Sequence, residues 1–168
     1  MMNMNRGAPP PRHGGSGGYG GRDNRRPPGP LPQLPPDYLK NGYFDDKGNI
    51  RGELITDTAE RTAKILGNSK ITYLQIRRFF TQVRSIEREM GTRSFQEVVV
   101  RIQALKPLVA NFVGRGSNPY ERQARENLKK FIDCNVDLSV KDEPSFVKGF
   151  IPHFEGVIAY FKYHFPSK

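Results

Sequence analysis

The sequence predicts an all-α fold, a compact bundle of about five helices that follows a disordered tail rich in Gly, Pro and Arg. Apolar residues recur at three- and four-residue steps in several long segments, which is the period of an amphipathic helix. Ser, Thr, Asp or Asn, followed three positions later by Glu or Gln, marks the start of most of these segments. No stretch alternates apolar and polar residues for long enough to indicate a strand.

Positions 1–36 differ in composition from the rest of the chain. They hold eight Gly, nine Pro, five Arg and one Asp, with almost no aliphatic residues. Such a segment cannot bury enough apolar surface to offset its ordering entropy, so we predict a disordered basic tail at 1–36 and a helical domain at 37–168. The RHGGSGGYGGR stretch resembles arginine-glycine segments that bind RNA loosely, although a flexible leader is the simpler explanation.

An ordered loop and a short helix are predicted at the start of the helical domain. Asn41-Gly42 and Lys47-Gly48 supply turn residues between short apolar pieces. Asp57 and Glu60 then have capping-box spacing. We expect the helix that they open to end in a left-handed cap at Gly67.

The segment Ile71–Met90 is predicted to be a long amphipathic helix. Thr72 and Gln75 form a second capping box at its start. Its apolar residues share one side, which we expect to be buried. These residues are Ile76, Phe79, Phe80, Val83, Ile86 and Met90.

Four arginines of this helix lie away from its apolar side. At about 100° per residue, Arg77, Arg84 and Arg88 project within about 40° of one another, and Arg78 lies on one flank. Guanidinium groups pair bidentately with phosphate, so this row would suit a phosphate backbone. Taken by itself, the row fits a solvated helix face slightly better than a binding site.

A third, strongly apolar helix is predicted after Ser94, which forms a capping box with Glu97. Pro107 lies inside this apolar segment and cannot donate a hydrogen bond to the carbonyl of Gln103. We therefore expect a kink or break between Gln103 and Lys106.

Two more helices complete the predicted bundle. Asn118 is the expected cap of the fourth, with Pro119 at its first position and Glu121 completing a box, and this helix should run to about Asn135. The last helix is predicted to be split by Pro152 into a short lead-in and a main segment. Its apolar positions are Phe146, Phe150, Phe154, Ile158, Phe161 and Phe165.

The residue types needed for catalysis or metal binding do not assemble into a motif. His153 and His164 would be about 16 Å apart along a helix, too far for one metal ion. Cys134 has no matched histidine motif, and no glycine-rich stretch has the spacing of a phosphate loop. We therefore predict no enzyme activity, no catalytic residue, no metal or cofactor, and no small-molecule substrate.

The charge of the chain favours an acidic partner. The formal net charge is +10 and the sequence pI is about 9.9. Nucleic acid is the commonest partner of such proteins. No apolar run is long enough to predict a membrane span, and the lone thiol of Cys134 fits a reducing cytoplasm.

Five segments occur in the order seen in the small subunit of type III-A CRISPR effector complexes. They are GYFDDKGNIRGELI, AERTAKIL, ITYLQIRRFFTQVRSIER, LKPLVANFVGRG and FEGVIAYFKYH. The match covers about positions 38 to 165, and its most specific parts are 75–80 and 155–162. The chain therefore resembles that family over its helical domain, whereas the long tail departs from the compact family pattern.

The resemblance implies a non-catalytic subunit of an RNA-guided ribonucleoprotein in antiviral defence. Its partners would be guide RNA, target RNA, the backbone and large subunits, and further copies of itself, with contacts to RNA backbones that do not read sequence. Arg77 and Arg78 fall in the matched helix motif, Arg84 continues it, and Arg115 falls in the GRG turn. Charge and helical position add Lys64, Lys70, Arg88, Arg122 and Lys129 as candidate RNA-binding residues.

Two other interpretations of the residues stay open. A purely structural helical bundle would use its charges for solubility or to meet an acidic protein surface. A small helical DNA-binding regulator would need a helix, a tight turn and a recognition helix. The Gly67-Asn68-Ser69 connection between two predicted helices is compatible with that arrangement.

Overall fold

The computed structural model describes residues 29–166, and six α-helices account for most of that range. The helices are α1 (Asp57–Asn68), α2 (Tyr73–Glu89), α3 (Phe95–Gln103), α4 (Leu105–Gly114), α5 (Pro119–Ser139) and α6 (Ile151–His164). A 3-10 turn at Gly52–Leu54 precedes α1, and a π-helical segment at Ser145–Phe150 precedes α6. Within the described range there is no strand, and Phe44 and Ile50 form an isolated β-bridge. The all-α prediction is confirmed.

Prolines interrupt the helices where the sequence indicated. α3 ends at Gln103 and α4 begins at Leu105, so the two are halves of one helix broken just before Pro107, and the architecture is the predicted five-helix bundle. Pro152 lies in the first turn of α6, and the lead-in before it is π-helical. The π-helical geometry, which is rare, was not predicted.

Two of the predicted capping boxes are confirmed. The hydroxyl of Thr72 accepts a hydrogen bond from the backbone N–H of Gln75, whose side chain accepts one from the N–H of Thr72. Ser94 and Glu97 make the same reciprocal pair at the start of α3. These contacts fix the starts of α2 and α3 through residues that are close in sequence.

The box predicted at Asp57 and Glu60 is wrong. Asp57 is already the first residue of α1, and the preceding Thr56 donates its hydroxyl to the carbonyl of Gly52, which stabilises the 3-10 turn. The carboxylate of Glu60 instead lies 2.8 Å from the ring nitrogen Nε2 of His164. Glu60 therefore ties α1 to the end of α6.

The start of α5 follows its prediction only in part. Asn118 is the cap and accepts from the N–H of Glu121 at 2.9 Å, with Pro119 in the first turn. The carboxylate of Glu121 accepts from Ser117 rather than from Asn118, so the reciprocal box is not formed. At its other end α5 runs to Ser139, one turn beyond the expected end, because that turn is buried in the core.

The left-handed residue after α1 is Lys70, and the prediction of a left-handed cap at Gly67 is wrong. Lys70 has φ 59°. Its N–H bonds to the carbonyl of Gly67, and the N–H of Ile71 bonds to the carbonyl of Leu66, which together make a Schellman motif. Gly67 lies within α1 against the ring of Phe165, where a β-carbon would overlap the ring.

Replacing Lys70 with glycine is expected to raise the free energy of unfolding by about 1 kcal/mol, because glycine adopts the left-handed conformation without the steric penalty of a β-carbon. Urea denaturation measures the change. The control is Lys70→Ala, which removes the same charge but keeps the β-carbon, and it should give no gain. An equal gain in both variants would assign the effect to charge and contradict the strain argument.

The chain before position 37 packs onto α5. Leu34 is buried, and its N–H donates to the side-chain oxygen of Asn127 at 3.1 Å. The ammonium group of Lys130 donates to the carbonyls of Leu34 and Pro35. The predicted boundary between tail and domain therefore falls inside a packed segment. Residues 1–28 of the predicted tail lie outside the described range, and the division into tail and domain stays a prediction.

Aromatic side chains from α2, α5, α6 and the π-helical segment meet in the middle of the core. The ring of Phe154 is fully buried. Its centroid lies 4.8 Å from that of Phe131, 5.2 Å from that of Phe80 and 5.6 Å from that of Phe150. Since Phe80 belongs to α2, this cluster joins the long amphipathic helix to α6.

A buried chain of hydrogen bonds joins the N-terminal loop to the core. Tyr43 donates to the side-chain oxygen of Asn135 at 2.7 Å, and the amide of Asn135 donates to the hydroxyl of Tyr38 at 3.1 Å. The Tyr38 hydroxyl lies 2.5 Å from Nε2 of His153, and Nδ1 of His153 lies 2.5 Å from the carbonyl oxygen of Leu54. Because a carbonyl only accepts, Nδ1 is the donor and neutral Nε2 accepts from Tyr38. Burial lowers the pKa of His153 to about 4, which keeps the ring neutral.

Candidate nucleic-acid interface

An open groove runs between α2 and α6. It encloses about 470 Å³, and three of the arginines predicted from the sequence line it together with a lysine of α6. We call it the α2–α6 groove, and its lining residues are Tyr73, Arg77, Phe80, Thr81, Arg84, Arg88, Ile158 and Lys162. The arginine row of α2 therefore faces a concave surface.

The packing of α2 explains why this groove has a fixed shape. Ile76, Phe79, Val83 and Ile86 are buried, which turns the opposite side of the helix outward. Phe80 lies at the edge of the buried side, where its ring packs edge-to-face on the buried aromatic cluster. The floor of the groove thus belongs to the hydrophobic core, and the cations stand on its rim.

The cations of the α2–α6 groove differ in their partners. Arg84 is half-buried and lies 3.0 Å from a carboxylate oxygen of Glu87 and 3.6 Å from one of Glu155. Within residues 29–166, no carboxylate lies within ion-pair distance of Arg77, Arg88 or Lys162. These three side chains are available to an anionic ligand, whereas the charge of Arg84 is partly offset.

A second groove lies on the other flank of α2, against α4. It encloses about 240 Å³ and contains Arg78 and Arg115, two further predicted residues that are 37 positions apart in sequence. We call it the α2–α4 groove, and its lining residues are Gln75, Arg78, Phe79, Gln82, Leu108, Asn111, Phe112 and Arg115. No carboxylate lines either groove.

The remaining predicted cations lie outside both grooves. Lys64 pairs with Glu60 at 2.7 Å, and the hydrogen bond from Lys129 to a neighbouring carboxylate raises the pKa of that lysine. Nε of Arg122 donates to a loop carbonyl at 3.0 Å. The ammonium group of Lys70 lies 5.3 Å from the ring centroid of Tyr120 on a third surface. Contact of these four residues with RNA stays a prediction.

Sequence reasoning missed Lys162 as a groove residue. This lysine follows Ile158 by one helical turn, so it stands at the border of the apolar side of α6. A basic residue in that position points to the edge of a helix contact, where grooves form. The sequence does not show which helix forms the other wall, and that identity comes from the packing of α6 on α2.

Chemically reactive groups are not concentrated in either groove. Burial raises the pKa of the Cys134 thiol on α5, which keeps it protonated. Among the described residues, no group of three His, Cys, Asp or Glu side chains is placed to hold a metal ion. Over the same range, no helix combines the length and apolar character needed to cross a membrane.

A family model described as Csm2 Type III-A matches residues 50–167. That match spans all six helices and both grooves. No curated protein and no solved structure matches the chain. Because the family model covers more than half of the sequence, the chain belongs to the Csm2 Type III-A family, the small subunit of type III-A CRISPR effector complexes.

Proposed function

We propose that this chain is a non-catalytic, cytoplasmic small subunit that holds the phosphate backbone of guide or target RNA in the α2–α6 groove. The observation that carries the proposal is the convergence of four cations on one groove without a carboxylate in its lining. Arg77 and Arg88 are separated by about 16 Å along the helix axis, which lets one strand contact both ends of the row. Contacts of arginine and lysine with phosphate carry no sequence information.

Several features support a binding role rather than an enzymatic one. Neither groove contains a histidine, cysteine or carboxylate that could act as a general base or nucleophile. His153 is buried in a fully hydrogen-bonded chain of the core. Within an effector complex, the subunit would pack beside further copies of itself along the backbone subunits, and target cleavage would belong to other subunits.

The proposal predicts the effect of removing three groove cations. The combined variant Arg77→Ala, Arg88→Ala, Lys162→Ala is expected to bind a single-stranded RNA oligomer of mixed sequence about ten- to thirtyfold more weakly, because three phosphate contacts are lost. The slope of log affinity against log salt should become shallower by about 2, at about 0.7 per contact for single strands. Fluorescence anisotropy across a salt series measures both quantities.

The matched control removes three exposed lysines that lie outside both grooves. The variant Lys47→Ala, Lys141→Ala, Lys148→Ala has the same net charge as the groove variant and should lose less than about threefold in RNA affinity. Circular dichroism should show unchanged helix content in both. Equal losses in the two variants would mean that net charge alone drives binding.

Much tighter binding to one DNA duplex than to its scrambled form would favour a DNA-binding regulator instead.

A further inference from the structure

The α2–α4 groove has a different chemistry from the α2–α6 groove, because side-chain amides line it together with its two arginines. Gln82 of α2 and Asn111 of α4 are exposed, and within residues 29–166 neither side chain has a hydrogen-bond partner. Each amide offers donor and acceptor groups side by side. A ligand that enters the groove therefore meets paired hydrogen-bonding groups from two helices.

The apolar part of this groove is preformed. Phe112 is held on one side by the guanidinium of Arg125, 4.5 Å from its ring centroid, and its ring meets that of buried Phe79 edge-to-face at 5.7 Å. Arg125 also donates to the carbonyl of Phe112 at 2.7 Å. Leu108 adds an apolar side chain that is 42% exposed although it lies in a concave surface. A planar, partly apolar group would cover Leu108 without displacing any side-chain contact.

The volume and the charge of the α2–α4 groove limit the kinds of ligand that it can hold. The groove encloses about 240 Å³, below the roughly 300–1,000 Å³ of pockets for drug-sized ligands, so a single ring system suits it. Arg78 and Arg115 stand in the same groove, and within the described residues no carboxylate lies within ion-pair distance of either. The ligand should therefore combine a small planar polar ring with negative charge.

We propose that the α2–α4 groove holds one nucleobase of an RNA strand, with the phosphates next to that nucleotide bound by Arg78 and Arg115. This inference rests on the proposed RNA-binding function, and it adds a site at which a base, and not only the backbone, contacts the protein. An acidic peptide would satisfy the arginines, and its backbone amides could pair with Gln82 and Asn111, but it brings no planar ring to the apolar wall. A nucleotide uses all three features.

The amides do not imply that the groove selects one base. The Watson–Crick edge of each nucleobase contains adjacent donor and acceptor groups, and a side-chain amide complements any such pair. Stacking or apolar contact with a base is similarly tolerant of sequence. A base pocket of this kind is therefore compatible with an RNA-binding subunit that does not read sequence.

The first experiment locates the base directly. The full chain is bound to a single-stranded RNA oligomer that carries 5-iodouridine, irradiated, and digested for mass spectrometry. Crosslinks between the base and α4, at Leu108 or Phe112, are expected. Crosslinks confined to Tyr73 and Phe80 of the α2–α6 groove would place the bases elsewhere and overturn the proposal.

The second experiment measures what the base contributes. The variant Gln82→Ala, Asn111→Ala is expected to lose about tenfold in affinity for the RNA, and much less for a ribose-phosphate oligomer of equal length without bases. The control variant Gln96→Ala, Gln103→Ala removes two exposed amides from α3 and should change neither affinity. Equal losses with both oligomers would overturn the base pocket.

The outcomes also separate this inference from the proposed function. If the base-free oligomer and the RNA bind the unaltered chain equally well, the backbone site stands and the base pocket is wrong. If neither oligomer binds, the proposed function itself has failed. Tighter binding of an oligoglutamate peptide than of the RNA, lost in Arg78→Ala, would assign the groove to a protein partner and overturn the inference.

Discussion

Lowering the pH from about 7 to 5 is expected to reduce the free energy of unfolding by about 2 kcal/mol, through the buried ring of His153. Its pKa is lowered to about 4 by burial, against an ordinary value of 6.5. Between these two values the unfolded chain binds a proton that the folded chain does not, so stability falls as the pH falls through 6.5 and the loss is complete near pH 4. Urea denaturation at several pH values measures the slope.

Measurements above about pH 5 isolate the histidine from the carboxylates. The pKa of Glu60 is lowered by its hydrogen bond with Lys64, and the pKa values of Glu97 and Glu121 are lowered by backbone N–H donors. Because these pKa values are lowered in the folded chain, protonation of the three carboxylates reduces the free energy of unfolding further only at lower pH. The control variant is His153→Gln, whose side chain donates and accepts but does not titrate. This variant should be less stable than the unaltered chain at pH 7, but its free energy of unfolding should no longer fall between pH 7 and 5. An unchanged pH dependence in this variant would contradict the assignment of the effect to His153.

Local signals of the sequence predict most of the helices. Thr72 with Gln75 and Ser94 with Glu97 satisfy each other across three residues, so their capping depends little on the rest of the fold. The break before Pro107 follows likewise from a missing N–H. The box at Asp57 and Glu60 fails because α1 begins one residue earlier than the sequence indicated, with Thr56 at the cap position, and the carboxylate of Glu60 contacts His164 across the bundle.

The candidate site could be predicted only in its components. The spacing of Arg77, Arg84 and Arg88 places them on one side of α2, and in the structure all three line one groove. Lys162, the opposite wall, is far away in sequence and is brought there by the packing of α6 on α2. Arg78 on α2 and Arg115 directly after α4 are likewise far apart in sequence, and the packing of the helices places both in one groove.

Two candidate cations pair with a carboxylate at a spacing that the sequence does show. Lys129 is four residues before Asp133, and Lys64 is four residues after Glu60, and both spacings place opposite charges on adjacent turns. A cation with such a partner offers less charge to phosphate than an unpartnered one. Arg84 shows this signal only in part: Glu87 lies three residues later on the same helix, whereas the second partner, Glu155, comes from another helix.

Replacing Phe154 with alanine is expected to lower the free energy of unfolding by about 3–5 kcal/mol. The ring is fully buried, and three other phenylalanine rings surround it within 6 Å, measured between centroids. Alanine would leave a cavity that these rings, held on three different elements, cannot close. Chemical denaturation at neutral pH measures the loss.

The matched control is Tyr163→Ala on the same helix. The side chain of Tyr163 is 78% exposed, so its removal should change stability by less than about 0.5 kcal/mol. Below the unfolding transition, Phe154→Ala should keep RNA affinity within about threefold, because the groove cations stay on folded α2 and α6. The groove variant at Arg77, Arg88 and Lys162 should show the reverse, with little loss of stability and a large loss of affinity. Parallel losses of stability and affinity in both variants would mean that RNA affinity follows the packing of the core rather than the groove cations, which would contradict the proposed phosphate contacts.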